Sequence, residues 1–363
     1  MSDDNPDTLF DKIPSKQTEN PTLRRISHSF YRGPECNFNP YLVDYATPDF
    51  LENFLLKGWL PEQPWIEKST RITAFGSCFA VNITKHLSNA GYNLTADKEP
   101  GIYVSYMGEG MVNVHALSQQ FEWALEDKEP PQNLWHGYKA ESFGYNPEIK
   151  SKTRAAFLQT DLFIITLGLS EVWYDEITGG VFWRAIPMRV YDSKRHKFRV
   201  CSMQETKEKI SRIDELIRRH VPHARLLFTL SPIPLAATFR PISCISANSV
   251  SKAILRSALD EFFRENPERV NKSLFYWPSF EVIQDLFPFR FGGDSRHPLA
   301  SVLQLIMRMF EAAHCVEGPS LADIRGEYMD VRKRNIDNGL RLERAFNEQI
   351  NQINPSTNGP DNS

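Results

Sequence analysis

Arg71-Ile72-Thr73-Ala74-Phe75-Gly76-Ser77-Cys78-Phe79-Ala80 is the stretch on which the architecture turns. Its first five residues read as a short strand that stops at Gly76. Just after it, Ala80, Ile83, Leu87 and Ala90 recur at i, i+3, i+7 and i+10, one apolar face of a helix. Gly91 then supplies the C-terminal stop.

The same alternation continues downstream. Leu162-Phe163-Ile164-Ile165-Thr166-Leu167 is a continuous apolar run ended by Gly168, as expected of a strand buried on both faces. Ile210, Ile213 and Ile217 mark a helix, and Arg225-Leu226-Leu227-Phe228-Thr229-Leu230 is the next buried strand. A helical pattern from Ala253 to Phe263 leads to the strand Leu274-Phe275-Tyr276-Trp277. After Pro298 a helix runs through Val302, Ile306 and Phe310. Strand, helix, strand, helix predicts an α/β fold with a parallel sheet covered on both faces. Val181 to Val200, preceded by Gly179-Gly180, reads as an inserted hairpin.

The ends differ in character. Residues 1–45 are rich in Asp, Asn, Pro and Ser and read as an arm anchored by Phe30, Tyr31 and Tyr41. Residues 46–317 form the expected central α/β domain. Residues 318–350 form a helical extension, with Ile324, Tyr328 and Val331 at helical spacing. The polar stretch 351–363 reads as a disordered tail.

At 363 residues with 41% hydrophobic side chains, the chain buries a core without disulfides or a structural metal. The net charge of −3 and the lack of a basic stripe give no sign of nucleic-acid binding. Five dispersed cysteines (Cys36, Cys78, Cys201, Cys244, Cys315) suit a reducing compartment and carry no zinc spacing. No signal peptide and no membrane span are predicted, so the expected location is cytoplasmic.

In an open parallel sheet, sites form at the carboxyl ends of the strands. Three strands end in small or polar clusters: Gly76-Ser77-Cys78, Gly168-Leu169-Ser170-Glu171 and Ser231-Pro232. In a fourth cluster, Asp294 and His297 are three apart, the same side of a helical turn. A carboxylate there can fix the tautomer of an imidazole that acts as general base. A thiol at a strand–turn–helix junction loses its proton more easily, which makes Cys78 a nucleophile candidate. The plainer alternatives are a small buried hydrophobe at Cys78 and a helix cap at Ser77.

Four blocks together carry a family resemblance. Phe75-Gly76-Ser77-Cys78-Phe79-Ala80 resembles the motif that names the bacterial GSCFA family. Thr166-Leu167-Gly168-Leu169-Ser170-Glu171-Val172-Trp173 resembles its second block. Ser231-Pro232-Ile233-Pro234-Leu235, followed by Ala247-Asn248-Ser249-x-Ser251-Lys252, resembles the third. Gly293-Asp294-x-x-His297-Pro298 resembles the last. The likeness spans about Arg71 to Phe310 with the blocks in order.

That family is similar to SGNH/GDSL hydrolases, which implies a flavodoxin-like, three-layer fold. The resemblance implies an esterase or acyltransferase acting on O-acyl groups of a carbohydrate or small metabolite. Cys78 takes the nucleophile's position, with Ser77 beside it; His297 is the base and Asp294 orients it. Backbone N–H groups at Cys78 and Gly110 (Asn113 as runner-up), with Ser170, stand where the oxyanion donors would be. Ser170 replaces the Asn of the superfamily pattern, an interaction of roughly 3 kcal/mol in comparable sites. No cofactor or metal is expected; acyl-CoA is a candidate co-substrate.

Some readings stay open. Glu171 binds substrate or forms a structural salt bridge. Trp173 and Trp183 stack on a sugar ring or pack against the insertion. Asn248, Ser251 and Lys252 line the cleft or cap and solvate a helix that begins near Ser251, the second being favoured. The competing function is a carbohydrate-binding or scaffold protein that keeps the fold without catalysis. A nucleotide-binding flavodoxin-like domain is opposed by the absence of a Gly-rich phosphate loop.

Overall fold

A computed structural model describes residues 10–14, 23–27, 36–47, 49–107, 110–129 and 146–353. Phe30, Tyr31 and residues 354–363 of the expected tail lie outside the described residues. The chain divides into two compact units, Met1–Lys57 and Gly58–Ser363.

In the first unit, β1 (Phe10–Pro14) and β2 (Leu23–Ser27) pair antiparallel. Tyr45 stacks on Phe50 at 4.6 Å between ring centres.

The second unit follows the predicted alternation. β3 (Arg71–Gly76) leads into α1 (Cys78–Asn89), and β4 (Asn93–Leu94) is a two-residue edge strand. Two short helical turns, α2 (Thr95–Lys98) and α3 (Tyr103–Tyr106), precede α4 (Val114–Glu126) and α5 (Pro147–Leu158). β5 (Leu162–Leu167) is followed by a hairpin of β6 (Glu171–Asp175) and β7 (His196–Val200). Then come α6 (Met203–His220), β8 (Arg225–Leu230), α7 (Cys244–Arg264) and β9 (Leu274–Trp277). The chain continues through α8 (Ser279–Leu286), α9 (Ala300–His314) and α10 (Leu321–Ile353).

The five-stranded sheet is wholly parallel, in the order β4-β3-β5-β8-β9. The chain starts in the second strand of that order, moves to one edge, and returns to build towards the other. The strand order therefore reverses between β3 and β5, and a crevice opens there at the carboxyl ends. The fold is flavodoxin-like, with helices on both faces.

Side chains along each strand alternate between two cores, as a pleated sheet requires. Phe163, Ile165 and Leu167 of β5 join Phe228 and Tyr276 in one core with residues of α4, α6 and α7. On the opposite face Trp277 meets Phe310 and His314 of α9 at 5.6 and 5.8 Å.

Three expectations shift. The inserted hairpin begins at Glu171, ten residues before the expected Val181, because Trp173 registers with Phe198 and Asp175 with His196. Arg195 clamps the buried Asp175 with two hydrogen bonds of 2.7 and 2.8 Å. Arg195 thereby holds that carboxyl well below the usual range. The helix expected near Ser251 begins at Cys244, capped by the Ser243 hydroxyl, which accepts the N–H of Ile245. Ser251 and Lys252 are thus interior helix residues, both buried. Finally, Asp294 and His297 sit in a turn ahead of α9 and not on a helix.

The C-terminal extension is one long helix, with Ile324, Tyr328 and Val331 buried as their spacing predicts. Asn335 accepts the N–H of Phe289 and donates to its carbonyl, so a side chain of α10 pins the loop after α8.

Candidate active site

Gly76 ends β3 with φ +138°, and a Cβ there would lie 2.1 Å from the Thr166 carbonyl oxygen of β5. Only glycine lets the two strand ends come this close at the crevice. Ser77 is extended and caps α1, its hydroxyl accepting the N–H of Phe79 at 3.2 Å. Cys78 is the first helical residue, where helix N–H groups favour an anion. It is half-buried, whereas Ser77 is buried.

Across the crevice, Asp294 and His297 form a closed unit. Asp294 Oδ1 accepts the backbone N–H groups of Arg296 and His297, each at 3.0 Å, while Oδ2 pairs with His297 Nδ1. These bonds favour the ionised carboxyl and hold it well below the ordinary carboxylate range. A carboxylate on Nδ1 leaves Nε2 as the ring atom available for proton transfer.

Ser77, Cys78 and His297 line one cavity of about 550 Å³. Its far wall is aromatic. Trp173 meets Phe239 and Phe198 edge-on, at 4.7 and 5.7 Å between ring centres. The wall joins the hairpin to the loop after β8, and Glu171 accepts a 3.0 Å hydrogen bond from Thr238 that fastens the two together. Arg184 and Arg296 add positive charge to the lining, and Arg296 also donates to the Pro234 carbonyl.

Not every expected residue reaches the cavity. Gly110 is not among the lining residues, and its N–H donates to the Met107 carbonyl at 2.7 Å. Asn113 does line the cavity, but its amide donates to the Phe182 and Trp183 carbonyls. Ser170 is buried away from the lining; its N–H donates to Ser251 Oγ, and its hydroxyl has no partner among the described residues. Asn248 is also outside the lining and accepts the Leu235 N–H, bracing the loop that carries Pro234. Trp183 packs instead of facing the cavity: it is buried and donates to Gln119 Oε1 at 2.7 Å.

Lys252, for which the solvated helix position was the favoured of two readings, is instead buried at the ends of β5 and β8. Lys252 is 3% exposed, and its Nζ donates to the carbonyls of Gly168 and Ser231, both at 2.7 Å. Burial pushes this amine down to about 7, against an opposing pull from Cys78 and in concert with Arg296.

Among the described residues, one group has metal-ligand character. Ligand atoms of His115, Cys201 and Glu205 lie within 4.8 Å of one another. Yet Glu205 takes two hydrogen bonds from the Arg199 guanidinium, at 2.7 and 2.6 Å, and a fixed cation already stands where a metal would go. Burial pushes the Cys201 thiol up to about 12, so it is no ready thiolate ligand.

A family model for the GSCFA family matches residues 71–310, more than half of the chain. The chain belongs to the GSCFA family. The matched region runs from β3 into α9, so the Gly76–Cys78 turn and the Asp294–His297 turn of this GSCFA protein both lie inside the family region. The aromatic wall and Lys252 fall within it too, while α10 lies beyond. No curated protein matches the chain. Among the described residues, no helix is long and apolar enough to cross a membrane.

Proposed function

We propose that this GSCFA protein is an SGNH-like hydrolase or acyltransferase that moves an O-acyl group through a Cys78 acyl-enzyme. The observation that carries the reading is the shared cavity: a thiol at a helix N-terminus and a carboxylate-oriented imidazole line the same space. In the first step Cys78 Sγ attacks the ester carbonyl and His297 Nε2 takes the thiol proton. The tetrahedral adduct collapses as His297 returns that proton to the leaving alkoxide, and a thioester remains on Cys78. Water or an acceptor hydroxyl then attacks the thioester, with His297 again taking the proton. Asp294 holds the ring and stays ionised throughout.

The aromatic wall of Trp173, Phe198 and Phe239 suits the apolar face of a sugar ring or of the acyl group, and Arg184 and Arg296 suit an anionic substituent. A carbohydrate or small-metabolite ester fits this lining, with acyl-CoA as a candidate donor whose phosphates the arginines would meet.

The competing reading, a carbohydrate-binding protein without turnover, is favoured by the fates of Gly110 and Ser170, neither of which offers a donor to the cavity. One experiment separates the two. Purified protein is incubated with a panel of acyl esters and acyl-CoA thioesters, quenched in acid, and digested for mass spectrometry. An acyl adduct on the peptide containing Cys78 supports the enzyme. Tight binding of a sugar with no adduct and no product from any donor supports the binding protein.

A further inference from the structure

Two segments bound the cavity and carry a surface that the proposed reaction does not use. One is the loop between β6 and β7, where Met188, Val190 and Tyr191 are exposed, Met188 at 94%. The other runs from β8 into the first turn of α7, where Phe239, Ile242 and Ile245 are exposed, Ile245 at 82%. The two touch through one ring: Trp173 meets Tyr191 at 5.8 Å and Phe239 at 4.7 Å between ring centres. Both also line the cavity, the first through Arg184 and Ala185 and the second through Ala236 and Ala237. Single apolar residues scattered over a surface are ordinary, but six on the two segments that bound one cavity make a patch.

The charge of these segments is one-sided. Residues 184–197 and 231–250 hold six basic side chains (Arg184, Arg189, Lys194, Arg195, Lys197, Arg240) against one acidic, Asp192, in a chain of net charge −3. Arg195 and Lys197 are engaged by Asp175 and Glu176. The other four still outnumber Asp192, so the rim is a positive surface with apolar tips.

We propose that this rim docks the protein on an anionic lipid bilayer, with the cavity mouth turned to the membrane surface. Apolar tips among cations are what an interfacial site requires: the tips enter the headgroup region and the cations meet lipid phosphates. Two other occupants fit less well. A polysaccharide offers hydroxyl groups, against which the aliphatic ends of Met188, Val190, Ile242 and Ile245 gain little. A second copy joined through the same face would set cation against cation. Attachment is peripheral, since among the described residues no helix is long and apolar enough to cross a membrane. Docking brings the cavity to any acyl ester held in the bilayer, yet it requires neither Cys78 nor turnover.

The test is co-sedimentation of the purified full chain with vesicles of phosphatidylcholine, alone or mixed with phosphatidylglycerol. Binding is expected on the mixed vesicles, at least about tenfold weaker on the neutral ones, and falling with added salt. Met188→Ser combined with Ile245→Ser removes two apolar tips, and Arg189→Glu combined with Lys194→Glu reverses two charges. Each pair should weaken binding at least about tenfold. All four positions are exposed, so both double variants should melt close to the wild type. Cys78→Ala should bind as the wild type does. A protein that docks without acyl transfer would keep the membrane site and sink the acyl-transfer reading, and one that forms the acyl adduct without docking would do the reverse. No binding to mixed vesicles, equal binding to both kinds, or full binding by either double variant would overturn the docking. Loss of a self-associated state in these variants, with vesicle binding intact, would assign the face to a second copy and overturn it as well.

Discussion

The hydroxyl of Ser77 accepts the N–H of Phe79 at 3.2 Å, and that bond commits it to capping α1 while Cys78 opens the helix beside the cavity. Two adjacent side chains thus have separable roles. Cys78→Ala is expected to abolish acyl-enzyme formation and turnover. Ser77→Ala should keep the adduct on Cys78 and lose about 1 kcal/mol of stability, the usual effect of a missing cap. Denaturant midpoints and adduct mapping on the two variants check both halves. An adduct on Ser77 would reverse the assignment.

Asp294 stabilises its own turn and the imidazole with the same carboxylate. In Asp294→Asn the turn bonds to the Arg296 and His297 N–H groups can persist through the amide oxygen, but the charge behind the ring is gone. Turnover should fall by about 10²- to 10⁴-fold with KM little changed, while the melting temperature stays close to the wild type because the pair is exposed. A parallel loss of stability and activity would show that the turn, not the ring's orientation, had been removed.

Much of this arrangement is legible in the sequence, for definable reasons. β5 and β8 are buried along almost their whole length, and such strands read as unbroken apolar runs. The Gly-Ser-Cys turn shows itself because a strand pattern stops at glycine and a helical pattern starts two residues later. Other features carry no local signal. β4 is too short to have a pattern. The hairpin's first strand follows directly on the Gly168 cluster, so its onset was absorbed into the loop. Lys252 is a partial case: it stands in a family block with a place in the cleft left open, but its partners lie 84 and 21 residues earlier in the chain, and a lysine within a helical pattern favours the solvent reading. The surroundings of Gly110 are hidden for a similar reason, since nothing local reveals that its N–H donates to the Met107 carbonyl.

Gly76 is required by space as much as by conformation. With φ +138° and the Thr166 carbonyl oxygen 2.1 Å from any added Cβ, Gly76→Ala must separate β3 from β5 at the crevice. A loss of about 4 kcal/mol or more is expected, or no soluble protein at all. Gly91→Ala is the control: its φ is +81°, but nothing lies within 4 Å of the added carbon. That substitution should cost only the left-handed strain, about 1 kcal/mol. Similar midpoints in urea for the two variants would show that the strand ends can part cheaply.

His314 sets the expected acid limit of the fold. Its ring is fully buried against Trp277, Phe310 and Phe275, and neither ring nitrogen has a hydrogen-bond partner among the described residues. Burial pushes the imidazole down to about 3. In the unfolded chain the same ring titrates near about 6.5. Between those values the unfolded state binds a proton that the folded state refuses, so folding becomes less favourable as pH falls. The slope for one proton is about 1.4 kcal/mol per pH unit, beginning near pH 6.5 and ending near 3. Above that window the ring is neutral in both states and contributes no pH dependence. His314→Leu fills most of the same space with an apolar side chain that never titrates. Its denaturant midpoint should therefore decline less steeply than the wild type's from pH 7 to pH 4, whatever its value at pH 7. Parallel declines in the two proteins would mean that the buried imidazole takes up its proton in the folded state.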